Sequence, residues 1–151
     1  MAMNAFIIEG TRSPIGSFGG MLRDVRTDDL AAHSLSSLIS KFKSLDLEQI
    51  ENIYLGCANQ AGEDNRNVAR MASLLAGIPA SVPAETINRL CASGLSSVLH
   101  AQRAINSGAG DFFIAGGVEN MTRGPYVMSK SSKAYGTDSK MYDSSFGWRF
   151  V

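Results

Sequence analysis

A chain of 151 residues, 44% of them hydrophobic and 19% charged, is long enough to bury one sizeable core. Fourteen basic residues balance fourteen acidic ones, and this formal net charge of zero argues against nucleic acid or an anionic membrane as a partner. The longest apolar run, residues 112–118, has seven residues, far fewer than the roughly 20 that a membrane-spanning helix needs.

The amino terminus and the two cysteines predict a cytoplasmic protein. Residues 1–9 have no basic segment ahead of an apolar stretch, which is unlike a secretory signal. Cys57 and Cys91 have neither CxxC spacing nor the spacing with histidine that is typical of zinc ligands. This cysteine usage argues against a bound metal and a disulfide scaffold, and it fits a reducing compartment.

The chain opens with a predicted buried strand and an amphipathic helix. Residues 5–8 (AFII) form a short apolar run, closed by Gly10 and the turn-forming residues 11–16. Thr27 is a suitable N-cap, because the two acidic residues that follow it suit the positive end of a helix. We predict this helix over residues 28–43. Its apolar positions recur at helical spacing: Leu35, Leu38, Ile39 and Phe42.

A second strand, a second helix and a third strand follow. Residues 53–56 (IYLG) predict a strand, and residues 59–67 predict a polar loop. Helical spacing then resumes and stops at Gly77 and Pro79, ahead of a short strand at residues 84–88. The apolar positions of this second helix are Val68, Met71, Ala72 and Leu75.

A third helix and a fourth strand complete the pattern. The helix begins at Ala92 and ends before Gly108, and residues 111–117 form the strand. Because the strands are short apolar runs without alternation and helices separate them, we predict an α/β fold with a mostly parallel sheet covered by helices. The apolar residues on one side of the third helix are Leu95, Val98, Leu99 and Ile105.

The composition changes after Met121, which divides the chain into a core of residues 1–121 and a second segment of residues 122–151. Residues 129–145 are rich in Ser, Lys, Tyr, Asp and Gly and show neither period, so they predict an extended loop without a core. Residues 146–151 (FGWRFV) are an aromatic cluster that would be exposed unless something covered it. We therefore expect that the chain stops early.

Cys91 lies where the third predicted strand meets the third helix. In open α/β sheets, ligands bind beyond the carboxyl ends of the strands. At a helix amino terminus the thiolate, which is the attacking form, is stabilised by the helix dipole and the free amides of the first turn. The backbone N–H of Cys91 would face a developing oxyanion, as in strand-turn-helix elbows. Cys91 is therefore the candidate nucleophile, and Ser93 and Gly94 keep the first turn slim.

A structural role competes with this interpretation, because a cysteine taken at random more often serves as a small buried apolar residue. Cys57 also follows a strand, but no helix starts directly after it, so the structural role is favoured there. Neither histidine is a suitable base. His100 lies nine residues beyond Cys91 on the same helix, about 13 Å away along its axis, and His33 is expected to face solvent or a helix contact.

Several segments, in order, resemble those of thiolases. Residues 88–95 (NRLCASGL) are similar to the thiolase nucleophile motif, and residues 115–121 (AGGVENM) to the strand-end motif that follows it. Residues 11–16 (TRSPIG) and 58–70 (ANQAGEDNRNVAR) are similar to the corresponding segments of the family. The resemblance covers essentially the whole chain, and residues 54–79 look most like the branch that acts on 3-oxoadipyl-CoA in aromatic-acid degradation.

This resemblance implies an acyl-CoA acyltransferase. Cys91 would be acylated by a 3-ketoacyl-CoA or by acetyl-CoA, and its amide would be one donor of an oxyanion hole. Acetyl-CoA then leaves and coenzyme A takes the acyl group from sulfur, which is ping-pong covalent catalysis; the reverse reaction condenses two acetyl units. Acyl-CoA and coenzyme A are therefore the expected partners, coenzyme A as co-substrate, with no permanently bound cofactor. A homodimer or homotetramer is expected.

The resemblance also implies that further catalytic residues of the family lie outside this chain. Thiolases are much longer, and their remaining part supplies a His in a His-Pro-x-Gly motif, a second Cys in a Cys-x-Gly-Gly-Gly motif and an Asn near the oxyanion site. None of these motifs is present in the 151 residues, so we expect no measurable turnover by this chain alone. The residues after Met121 would begin the loop domain, which helps to bind coenzyme A and contributes to tetramer contacts.

Two other interpretations remain open. The chain would be a non-catalytic fragment or assembly module if its half of the sheet merely dimerised. The other alternative is a relative of the ketoacyl synthases, which place their nucleophile similarly but use a carrier-protein substrate. The motif match favours a thiolase over this alternative.

Overall fold

A computed structural model of the chain describes residues 4–59, 62–63 and 65–150. Within these residues, three parallel strands form the central sheet: β1 (Asn52–Gly56), β2 (Ala84–Ile87) and β3 (Phe113–Gly117), in the order β2-β1-β3. Gly56, the last residue of β1, pairs with the last residues of both neighbours. The carboxyl ends of all three strands therefore lie at one edge of the sheet.

Two helices cover one face of this sheet. α1 spans Thr27–Ile39 and α2 spans Val68–Leu75, and the two helices pack against each other. Ile53 and Leu55 of β1 point to the same face, because side chains alternate along a strand, and both belong to the hydrophobic core. The other buried members of this core are Ala31, Ala32, Leu35, Ile50, Ala69, Ala72, Ile78, Val82 and Ile114.

The third helix, α3 (Ser93–Asn106), packs on β1 and β3 from the opposite face. It approaches the sheet very closely at Gly56, where an added Cβ would fall well inside van der Waals contact of the Ser93 carbonyl carbon and the Gly94 nitrogen. Tyr54 points to this face as well, and its ring meets the His100 ring edge-on at 5.9 Å between centroids. Small side chains line this contact: Ser93, Ser96, Ser97 and Ala101 are buried.

The α/β prediction is confirmed, and the predicted strands at 53–56, 84–88 and 111–117 are found as β1, β2 and β3. The helix predicted over 28–43 ends earlier, at Ile39, because the amides of Lys41 and Phe42 bond three residues back and turn the chain. Thr27 is not the N-cap. Arg26 holds that position without a side-chain cap, and its guanidinium pairs instead with the Asp28 carboxylate at 2.8 Å.

The strand predicted over residues 5–8 does not form. Phe6 and Ile7 are 79% and 87% exposed, and the segment borders a groove of about 420 Å³ that separates it from β3. A strand is stable only when its backbone groups find a neighbouring strand, and an apolar run does not supply that neighbour. Lys41 holds the segment instead, with Nζ 2.9 Å from the Gly10 carbonyl oxygen and 3.2 Å from the Glu9 carboxylate.

Helical spacing identified α2 and α3 correctly, but the predicted inner faces are only partly right: Val68 and Ala72 of α2 are buried as predicted, whereas other predicted positions are exposed. Leu75 is 55% exposed, and Leu95 and Val98 are 66% and 38% exposed. The buried side of α2 consists of Val68, Ala69, Ala72 and Ser73. Small side chains occupy these contacts because they let the helix backbones approach, so the larger apolar side chains lie outside.

The segment predicted as an extended loop, residues 129–145, contributes the second strand and the connection of a hairpin. β4 (Tyr126–Met128) and β5 (Met141–Asp143) pair antiparallel, with strands too short for an alternating pattern to be recognised in the sequence. Trp148 beyond them is 91% exposed. In the described part of the chain, no helix has the length and apolar character needed to cross a bilayer.

Candidate active site

Cys91 lies in the turn between β2 and α3, beyond the carboxyl edge of the sheet. Ala92 is the N-cap residue of α3, so Cys91 directly precedes the helix cap. Its side chain is exposed. The predicted position at a strand-to-helix junction is therefore confirmed, and burial of this thiol as a small apolar core residue is excluded.

The turn ahead of Cys91 is held in an uncommon conformation. Leu90 has φ of 52°, in the left-handed region that costs a non-glycine residue about 1–2 kcal/mol. Asn88 Oδ1 accepts a hydrogen bond from the Leu90 N–H at 3.0 Å. Ser93 Oγ accepts one from the Arg89 N–H at 2.8 Å and donates one to the Leu90 carbonyl oxygen at 2.6 Å. Side chains on both sides of the turn thus stabilise it.

Cys57 has a different environment. It is 1% exposed, as its expected structural role requires. Its Sγ lies 3.6 Å from Oε1 of Glu119 and 3.7 Å from the Asn59 carbonyl oxygen. The sequence did not predict this contact between Glu119 and Cys57. The signal available for it was the carboxylate inside the strand-end motif at residues 115–121.

Neither histidine is placed as a partner of Cys91. His100 packs against Tyr54 at the sheet face, and His33 is exposed on α1, as predicted. A cavity of about 370 Å³ lies beyond β3, but Cys91 is not part of its lining. Among the residues that the structure describes, no three His, Cys, Asp or Glu side chains are grouped closely enough to hold a metal ion.

An ion-pair cluster holds the loop that follows β1. Arg123 pairs with both carboxylate oxygens of Glu63, at 2.5 and 2.8 Å, and Arg26 lies 3.5 Å from the same carboxylate. The hydrogen bond from Arg123 lowers the pKa of Glu63 from its usual 4.5, against the opposing effect of burial. Of the thiolase-like segment at residues 58–70, Gln60, Ala61 and Asp64 lie outside the described residues.

The chain matches the family model described as "Thiolase, N-terminal domain" over residues 5–146. It is 58% identical over 147 residues to 3-oxoadipyl-CoA/3-oxo-5,6-dehydrosuberyl-CoA thiolase of Escherichia coli (strain K12), covering 97% of this chain and 37% of that protein. It is 55% identical over 151 residues to beta-ketoadipyl-CoA thiolase of Pseudomonas knackmussii, covering 100% of this chain and 38% of that protein.

A solved structure shows the same similarity at the level of the fold. The acetyl-CoA acetyltransferase of Bacillus anthracis superposes with a TM-score of 0.82 at 33% identity, covering 94% of this chain and 36% of that one. The chain spans 37% and 38% of the lengths of the two curated relatives named above. On the match of its sequence and of its α/β fold, the chain belongs to the thiolase family and corresponds to part of the thiolase amino-terminal domain.

Proposed function

We propose that this chain carries the acyl-accepting cysteine of a thiolase, with Cys91 as the nucleophile. The observation that supports this most directly is an exposed thiol on a tightly held turn, directly ahead of α3 and beyond the carboxyl edge of a parallel sheet. Ligands of open α/β sheets bind at this edge. The other cysteine of the chain, Cys57, is buried.

In the proposed reaction, the Cys91 thiolate attacks the ketone carbon of a 3-ketoacyl-CoA, forming a C–S bond and an oxyanion. Cleavage of the adjacent carbon–carbon bond re-forms the carbonyl as an acyl-cysteine and expels acetyl-CoA as an enolate, which takes up a proton. The thiolate of coenzyme A then attacks the acyl-cysteine, which releases the shortened acyl-CoA and restores the Cys91 thiolate. We assign the Cys91 backbone N–H as one donor to the oxyanion.

The chain by itself is proposed to have no thiolase turnover. The expelled enolate needs an acid and the incoming coenzyme A needs a base, but His33 is exposed on α1 and His100 packs against Tyr54. These groups would come from the rest of a longer thiolase polypeptide. Full-rate cleavage of acetoacetyl-CoA by the isolated chain in the presence of coenzyme A would contradict this proposal.

The proposed substrate is a 3-oxo dicarboxylic acyl-CoA such as 3-oxoadipyl-CoA. The support is the similarity to relatives whose names contain 3-oxoadipyl-CoA or beta-ketoadipyl-CoA thiolase. A full-length protein that contains this chain would then cleave 3-oxoadipyl-CoA faster than acetoacetyl-CoA, measured as kcat/KM. An equal or reversed preference contradicts the assignment.

We further propose that residues 1–121 are the core and that residues 122–151 begin the loop domain of a cytoplasmic homodimer or homotetramer. The β4–β5 hairpin pairs within itself, which supports a separate segment, and two cysteines in 151 residues without CxxC spacing fit a reducing compartment. The exposed apolar side chains Leu95 and Trp148 support a second candidate, an assembly module without catalysis.

Intact-mass measurement after incubation with acetyl-CoA tests the nucleophile. We expect one acetyl group on the wild-type chain, located on Cys91 by peptide mapping, and none on Cys91→Ala. The matched control Cys57→Ala should be acetylated like the wild type. Acetylation of Cys57 would contradict the assignment, and a stable dimer without any adduct would support the assembly module.

A further inference from the structure

A series of hydrogen bonds connects the turn that carries Cys91 to the residues that follow β1 and β3. The strand register aligns Gly56 with Ile87 and with Gly117. The residues just beyond these positions therefore meet at one edge of the sheet, although they are far apart along the chain. Polar side chains from the β2 and β3 exits contact the backbone that leaves β1.

Glu119, just beyond β3, caps the end of β1. Its carboxylate accepts hydrogen bonds from the Ala58 N–H at 2.8 Å and from the Asn59 N–H at 3.2 Å, one on each oxygen. These charge-assisted bonds take the place of the ladder bonds that a longer β3 would supply. A glutamine of the same size would offer only one acceptor oxygen and would turn an NH₂ group toward the other donor.

Asn88, just beyond β2, joins Ala58 to the Cys91 turn. Its Nδ2 donates to the Ala58 carbonyl oxygen at 3.0 Å, and its Oδ1 accepts from the Leu90 N–H at 3.0 Å. Leu90 is the residue in the left-handed conformation, with φ of 52°. Such a conformation persists only where the surroundings hold it. Ala58 is thus held at its N–H by Glu119 and at its carbonyl by Asn88.

Resting on the proposed role of Cys91, we propose that Glu119 is a positioning residue for the nucleophile. Glu119 fixes Ala58, Ala58 orients Asn88, and Asn88 holds the left-handed turn at Leu90. This turn sets the direction from which the Cys91 thiolate meets an acyl donor. Glu119 itself touches neither the thiolate of Cys91 nor the substrate in this scheme; it acts through the two intervening residues.

The test compares two reactions of Cys91 in the Glu119→Gln chain. Acetylation by acetyl-CoA needs an oriented thiolate, and we expect its rate to fall about tenfold. Alkylation by iodoacetamide needs an accessible thiolate but no particular orientation of it, and we expect its rate to stay within about twofold of the wild type. Glu85→Gln, which changes an exposed carboxylate on β2, is the matched control and should leave both rates unchanged.

A double-mutant cycle distinguishes positioning from general destabilisation. Asn88→Ala breaks the connection, so adding Glu119→Gln to it should cause no further loss of acetylation rate. Additive losses, an unchanged acetylation rate in Glu119→Gln, or a parallel fall in alkylation would each overturn the proposal. If Glu119→Gln does not fold, which the loss of its cooperative urea transition reports, the shorter Glu119→Asp replaces it with the same expected result.

Failure of the proposed function has a different signature, namely no acetyl group on Cys91 in the wild-type chain. The positioning role is then measured by hydrogen exchange at the Leu90 amide, which donates to Asn88. We expect this amide to lose protection in Glu119→Gln and to keep it in Glu85→Gln. Unchanged protection in Glu119→Gln overturns the proposal whatever the role of Cys91.

Discussion

The two cysteines occupy comparable places in the sheet and have opposite environments. Cys57 follows β1 and Cys91 follows β2, and these neighbouring strands end at the same edge. Cys57 is 1% exposed, whereas Cys91 is exposed in a turn. Position at the carboxyl edge is therefore not sufficient for a reactive thiol, and the course of the chain after the strand decides its exposure.

The two exits also differ in the groups that hold them. The loop after β1 is held by carboxylates, since Glu119 accepts from its amides and Glu63 pairs with Arg123. The turn after β2 is held by neutral side chains, Asn88 and Ser93. Charged groups thus hold the loop after β1, where Cys57 is buried. Neutral side chains hold the turn after β2, where Cys91 is exposed.

The largest expected effect is a difference in alkylation between the two thiols. In the native chain, iodoacetamide should modify Cys91 on the order of 10³ times faster than Cys57, because a buried thiol reacts only after an opening that costs several kcal/mol. Peptide mapping over a time course measures both rates. The ratio of the two rates should approach one in strong denaturant. Comparable rates in the native chain would contradict the difference in burial between Cys57 and Cys91.

The close approach of α3 to β1 sharpens the comparison, because it places the helix directly behind the Cys91 turn. Gly56→Ala should lower the free energy of unfolding by about 2–3 kcal/mol, since the new Cβ overlaps the backbone at Ser93. Urea denaturation measures this. Gly94→Ala is the matched control, because a Cβ there meets nothing within 4 Å, and it should be neutral or slightly stabilising. Equal losses for both variants would contradict the packing argument.

Removing each thiol should separate a structural cysteine from an exposed one. Cys57→Ala should lower the free energy of unfolding by about 1 kcal/mol, because it leaves a small cavity and removes a contact with Glu119. Cys91→Ala should change it by less than about 0.5 kcal/mol, because the side chain is exposed. The same urea titrations check both values, and a reversed order would show that the burial contrast does not hold in solution.

The smallest expected effect is a pH dependence of the stability that the Glu63–Arg123 pair contributes in the loop after β1. Because Arg123 lowers the pKa of folded Glu63 below its usual 4.5, this pair stabilises the fold above pH 4.5 and loses its contribution as the pH falls through the lower folded value. Above pH 4.5, Glu63→Gln should cost at most about 1 kcal/mol, because the pair is partly exposed. The difference from wild type should shrink toward pH 3, and a difference that stays constant down to pH 3 would contradict the ion-pair argument.

Much of the architecture could be predicted from local sequence. β1 contains a short apolar run, β2 is a short segment directly after Pro83, and α3 begins at a change to helical spacing, so the junction that holds Cys91 was recognisable. The motif at residues 88–95 indicated the thiolase family, which the family match confirms, while the role of Cys91 stays a prediction. These features depend on residues close together in the chain, which is why the sequence by itself determined them.

Only the tertiary structure decided which surfaces are covered and which distant groups meet. Residues 5–8 are apolar enough for a strand but lack a paired neighbour, and Leu95 points outward because serines permit the closer helix contact. The bond from Ala58 to Glu119 joins residues 61 positions apart. Burial and pairing depend on partners brought together by the fold, so no local pattern records them.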